Sequence, residues 1–237
     1  MVLAILFAAS TVLFGVGTGF GGLQDVLLQD RAVGGPSESD ARKRIAANAN
    51  DAQAHRDLAE ALQNKRDVLA SIQPLAKYVE LRPNDVDAKR ELAGLYLRKA
   101  DQHRTEAQLA QLALQQEVPG QLFQPDSSSK IGQALGADPV TEALSTQHNE
   151  RLTTAFTAMT TAYSEAVAVY KEIAQAVPND PAVQFELAQT AEAANDLETA
   201  LTAYKRFVEL APEDRAAEAV KQRIEQLEAR VSPPSDG

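Results

Sequence analysis

Three histidines, His55, His103 and His148, are the residues of this chain best suited to move a proton or hold a metal. Imidazole does either only beside a second ligand or a partner carboxylate at helical spacing. They stand 48 and 45 residues apart, in no ligand-spaced cluster. His55 falls on an amphipathic helix, where its place is expected at the surface. Cysteine is absent, which removes thiolate chemistry, Cys-based metal sites and disulfides together. No G-x-S-x-G, H-E-x-x-H or P-loop occurs, and the carboxylates are spread along helix surfaces without a paired set. Gly15-x-Gly17-x-Gly19-x-Gly21-Gly22 has the composition of a phosphate loop, but it follows no strand of a βαβ unit and lies within an apolar run. Its pairs Gly15/Gly19 and Gly17/Gly21 could let membrane helices pack closely, or the run is simply a glycine-rich exit from an apolar segment. No catalytic residue, metal or cofactor is expected, and the chain is read as non-enzymatic.

The elements that carry these residues are helices in phase. A short tag recurs as Pro83-Asn84-Asp85, Pro178-Asn179-Asp180 and Pro212-Glu213-Asp214, with Ala49-Asn50-Asp51 as a degenerate copy. Ala49 to Pro83 is 34 residues, and Pro178 to Pro212 is 34 again. A fixed period of this size means stacked supersecondary units. Proline resists the helix interior and Asp caps the helix that follows. Between tags lie two amphipathic helices: Leu58, Ala59 and Leu62 share one face, and Ser71, Leu75 and Tyr78 another. In the last copy the sets are Leu187, Ala188 and Ala191, then Ala200, Tyr204 and Phe207.

With Ala52 and Pro181 as position 1, these residues fall at positions 7, 8, 11, 20, 24, 27 and 32. The pattern resembles the tetratricopeptide repeat (TPR), a helix–turn–helix unit that stacks into a solenoid. The resemblance covers about residues 38–100 and 154–231. It implies an all-α TPR-type solenoid that binds a protein partner in a concave groove lined by positions 2, 5, 9, 12 and 13 of each first helix. Carried over, these are Gln53, Arg56, Glu60, Gln63 and Asn64; then Asp87, Arg90, Gly94, Leu97 and Arg98; then Ala182, Phe185, Gln189, Glu192 and Ala193. Glu60 and Gly94 stand where a carboxylate-clamping member has asparagine, so no such clamp is expected. The partner-binding candidates are Gln53, Arg56, Glu60, Asn64, Arg90, Arg98, Phe185 and Gln189, and Arg90→Glu is expected to weaken binding without unfolding the domain. A self-associating structural component, and hence a homo-oligomer, is the alternative.

The middle repeat is split. Its first helix carries Leu92, Ala93 and Tyr96 and its second Ala166, Tyr170 and Ile173, but Pro83 and Pro178 are 95 residues apart, 61 more than one period. The excess, about 101–153, reads as a helical hairpin: 101–117 continues the first helix through Ala107, Leu109, Leu112 and Leu114. Val118-Pro119-Gly120 is expected to break it, and the pattern turns helical again from Val140. Leu122, Phe123, Ile131 and Leu135 mark the tip, which either folds back or docks a partner. A last helix over 215–231, with Ala219, Val220, Ile224 and Leu227 on one face, closes the solenoid.

The chain of 237 residues carries a net charge of −10, from 23 basic and 33 acidic residues, which argues against nonspecific binding to nucleic acid. Residues 2–23 contain no charge. As a helix they would span about 33 Å, against about 30 Å of hydrocarbon. Residues 1–24 are therefore read as a transmembrane anchor in the lipid bilayer, with a cleaved signal as the rival. Then come a flexible tether over 25–37, the solenoid over 38–231 and a disordered tail over 232–237. The chain resembles bacterial TPR proteins with an N-terminal anchor, which implies a single-pass membrane protein with its body outside the cytoplasm.

Overall fold

The structure is a computed structural model that describes residues 36–122, 129–130 and 139–231. Among these the chain forms eight α-helices and no strand, as a tetratricopeptide-type helical repeat would. They are α1 (Glu38–Ala47), α2 (Ala52–Asn64), α3 (Ile72–Leu81), α4 (Val86–Leu122), α5 (Pro139–Ala176), α6 (Pro181–Ala193), α7 (Leu197–Leu210) and α8 (Ala217–Val231). Each packs on the helix before it and the helix after it.

The tag works through its last residue. Asp51 accepts from the Ala54 N–H at 3.0 Å, Asp85 from Ala88 at 2.9 Å, Asp180 from Ala182 at 3.0 Å and Asp214 from Ala216 at 2.7 Å. Each carboxylate thus satisfies one of the amides that a helix start leaves unpaired. Asp196 does the same for α7 without belonging to a tag, accepting from Thr199 at 3.2 Å.

The turn from first to second helix also repeats. Arg66 and Asn195, both at position 15, have φ of 64° and 60°. The amide after each reaches back to close the helix end, Asp67 to the Leu62 carbonyl at 3.0 Å and Asp196 to Ala191 at 2.8 Å. This is a Schellman closure, with the left-handed residue where glycine is usual. Asparagine tolerates that conformation; arginine does so only with strain.

The core runs from α2 to α8, around Ala59, Leu75, Leu92, Ile173, Leu187 and Phe207. Leu58, Leu62, Ala188, Ala191, Ala200 and Tyr204, read from periodicity, are all buried. Ser71 stands fully buried where the last repeat has Ala200, and its hydroxyl donates to the Val68 carbonyl at 2.6 Å. A hydroxyl can take the small position because its proton is used at once. Along the last helix, Ala217 takes the buried place expected for Ala219, which is exposed. The helix begins after a turn at Asp214, two residues later than expected, while Val220, Ile224 and Leu227 keep the inward face.

The long helices α4 and α5, of 37 and 38 residues, share the most extensive contact in the chain. Their seam is made of small residues. Buried Ala93, Ala100 and Ala107 recur every seven residues on α4, and Ala155, Ala162 and Val169 do so on α5. Ala100 and Ala162 meet in one cluster with Tyr163. The antiparallel register then sets Ala107 opposite Ala155. Leu109 and Leu112, through which the helical pattern of 101–117 runs, are 63% and 50% exposed, because alanine has taken the seam. Nor does α4 break at Val118-Pro119-Gly120; it runs to Leu122.

The expectation of a single-pass membrane protein needs correction. Among the described residues no helix is both long and apolar enough to cross a membrane. The two helices with the length, α4 and α5, carry Asp101, Arg104, Glu106, Glu150 and Arg151. The segment 2–23 on which the expectation rested lies outside the described residues, as do most of the tether, the tail, and Phe123, Ile131 and Leu135 of the tip. Leu122 is the last residue of α4.

Relieving the left-handed strain tests the turn. Arg66→Gly should raise unfolding stability by about 0.5–1 kcal/mol in urea melts, the conformational gain less the entropy glycine adds to the unfolded chain. Asn195→Gly should change it less. A drop for Arg66→Gly would mean that the arginine side chain contributes more than its backbone loses.

Candidate functional site

The candidate groove lies on the first helices, α2, α4 and α6, with α8 following. These alternate helices are linked by side chains where their backbones do not touch. Arg56 on α2 donates to Glu91 on α4 at 2.5 Å, and Gln63 donates to the other oxygen at 2.7 Å. The Arg56 guanidinium also lies 5.7 Å from the centre of the Tyr78 ring. On α4, Arg90 Nη2 donates to Asp180, the cap of α6, at 2.8 Å. On α8, Arg223 donates to both oxygens of Glu192 on α6, Nε at 3.1 Å, and Tyr204 donates to the same carboxylate at 3.2 Å. Two cations offered by the sequence as free contacts, Arg56 and Arg90, are thus already paired within the fold. For that reason Arg90→Glu would set a new carboxylate beside Asp180 and Glu186 and disturb the α4–α6 link, so it would not act on the groove surface alone.

The remaining candidates divide. Gln53 is exposed and bonded to Asp57 at 2.8 Å, while Glu60, Asn64, Arg98 and Gln189 are exposed. Arg98 borders a shallow cleft with Arg66, Asp67 and Gln102. Phe185 turns partly inward, its ring centre 5.1 Å from Phe207 and 6.1 Å from Tyr204. The gap at Gly94 is open, since a Cβ there would meet nothing within 4 Å.

Charge on this face is set by burial as much as by pairing. Burial raises the pKa of Glu186, against the pull of Arg90. Burial also pushes the Tyr170 hydroxyl up to about 12, helped by the nearby Glu186 charge. The Arg223 hydrogen bond holds the Glu192 carboxyl below the ordinary value of 4.5, against desolvation. Sequence reasoning named neither Glu91, Asp180 nor Glu186 as part of the face. The signal for Glu91 and Glu186 was an acid at position 6 of a first helix, beside the position-5 residue that was read as groove.

The histidines play other parts. His55 is buried rather than exposed, and its Nε2 sits 2.9 Å from the Ala49 carbonyl, tying α2 to the tag before it. His103 and His148, remote in sequence, border one cleft of about 600 Å³ between α4 and α5. His103 Nδ1 is 2.8 Å from Glu106 on the same helix. Among the described residues no three His, Asp or Glu side chains converge as metal ligands.

Residues 161–224, which take in the C-terminal part of α5, all of α6 and α7 and the first half of α8, match the family model described as Tetratricopeptide repeat. No curated protein matches the chain.

The Arg223–Glu192 pair should show in the acid limb of stability. The Glu192 pKa is lower folded than unfolded, so the pair stabilises above the unfolded value and its contribution is lost as pH falls through the folded one. Arg223→Met should lower the melting temperature at pH 7 and converge on the parent protein as pH falls below the depressed folded value of Glu192, where the carboxyl is protonated in both. A constant offset across that range would show that the pair is not what the substitution removes.

Proposed function

We propose that this chain, which carries tetratricopeptide repeats over residues 161–224, is a non-enzymatic scaffold holding a segment of a partner protein along the face of α2, α4 and α6. Tetratricopeptide repeats in general mediate protein–protein interaction, and a stacked array offers a preformed surface on which many modest contacts add. The observation that carries this reading is the vacancy at Gly94. Position 9 elsewhere on the face is filled by Glu60 and Gln189, both exposed; on α4 it has no side chain, and apart from its own stretch of helix nothing lies within 4 Å of where one would begin. A partner backbone can approach α4 there more closely than it can approach α2 or α6.

The links among α2, α4, α6 and α8 keep this face in one shape before anything binds. Arg56 and Arg90 serve the face by fixing it, while Gln53, Glu60, Asn64, Arg98 and Gln189 supply contacts and Phe185 an apolar edge. The partner is accordingly a peptide or helical segment whose binding does not depend on a single ion pair.

Filling the vacancy tests this without touching the fold. Gly94→Leu should leave the melting temperature equal or slightly higher, since it removes a helix-interior glycine. Retention of partner protein on the immobilised full chain should fall at least tenfold, as a side chain occupies the partner's space. Equal retention of the same partner by the parent chain and by Gly94→Leu would move the binding face elsewhere.

A further inference from the structure

The repeat sets up the same pairing twice and closes it once. Arg56 at position 5 of α2 is met by Glu91 at position 6 of α4, the next first helix. Arg90 and Glu186 occupy the same two positions one repeat on. They feel each other's charge, yet no ion pair forms between them. Arg90 Nη2 is instead taken by Asp180, and its Nε is buried without an acceptor. That leaves Nη1 as the nitrogen that the partly exposed guanidinium can still offer. The Glu186 carboxylate, half-buried on α6, has no hydrogen bond or ion pair among the described residues. A donor on α4 and an acceptor on α6 thus hold the repeat positions at which Arg56 and Glu91 meet, yet both are unspent, with the open space over Gly94 one helical turn along α4.

We infer that Arg90 and Glu186 form a recognition site for the primary carboxamide of an asparagine or glutamine side chain, carried on an extended peptide segment. This deepens the groove reading above and rests on it. A cationic group drawn to Glu186 would meet Arg90, and an anionic one drawn to Arg90 would meet Glu186 and Asp180. A neutral group with one acceptor and one donor satisfies both without a net charge to desolvate. A primary carboxamide presents its carbonyl and one N–H along a single edge. A trans peptide group points them to opposite sides, so one backbone amide cannot answer both partners at once. The carbonyl would accept from Arg90 and the amide would donate to Glu186. Tyr170, beside them, keeps its proton throughout the neutral range.

The experiment is selection from a displayed library of random peptides on the full chain, followed by affinity measurement of the enriched peptides. The inference expects Asn or Gln at one register in those peptides. It also expects about a tenfold loss on Glu186→Leu and a similar loss when that peptide residue is changed to Asp or Glu, the value of one well-placed hydrogen bond. The peptide-side change needs no protein variant, so the test survives should Glu186→Leu fail to fold. Enriched peptides that lack a carboxamide and ignore Glu186→Leu, but are lost on Gly94→Leu, would overturn this inference and leave the groove standing. Peptides indifferent to Gly94→Leu, or no enrichment at all, would overturn both.

Discussion

An aspartate that divides its two oxygens holds this fold together. At each of four helix starts one oxygen accepts a backbone amide of the new helix and the carboxylate also binds a neighbouring helix. Asp51 caps α2 and takes Arg44 of α1; Asp85 caps α4 and takes the Tyr78 hydroxyl of α3 at 2.6 Å. Asp180 caps α6 and takes Arg90 of α4, and Asp196 caps α7 and takes Lys171 of α5 at 3.1 Å. Serine or asparagine could start those helices as well. Neither could accept an arginine or lysine with a charged oxygen, so the residue type is fixed by the second task. The angle at which one helix follows another is thereby coupled to where that helix begins.

Such coupling matters because the backbones of alternate helices do not touch. Each helix packs only on its chain neighbours, so the spacing of α2, α4, α6 and α8 rests on side chains reaching between them. The pairs Arg56–Glu91, Arg90–Asp180 and Arg223–Glu192 supply that reach. They are partly exposed, and pairs of this kind contribute modestly to stability. Their effect is geometric: they tie each first helix to the next along the face.

Much of this was legible in the sequence. The phased tag gave the helix starts, and Leu58, Leu187, Ala188, Ala200, Tyr204 and Phe207 were found inside because a 3.6-residue period registers burial directly. What escaped was of two kinds. Pairings between side chains distant in the chain, such as Arg90 with Asp180, leave no periodic trace, and His55 was misplaced because its partner is a backbone carbonyl. The seam between α4 and α5 escaped because leucines draw the eye as core, whereas alanines let the two backbones close together and left Leu109 and Leu112 outside. The clue was a step of seven from Ala93 to Ala107, a coiled-coil interval rather than a solenoid one.

That step gives the hairpin a unit of length. Because the same contact recurs every seventh residue on both helices, removing seven from α4 and the matching seven from α5 would bring the next pair of alanines into register. The turns of the array at either base of the hairpin would not move. An evolving chain could therefore draw this arm out or shorten it in discrete notches, about 10 Å at a time, without renegotiating any contact in the repeats that bear it.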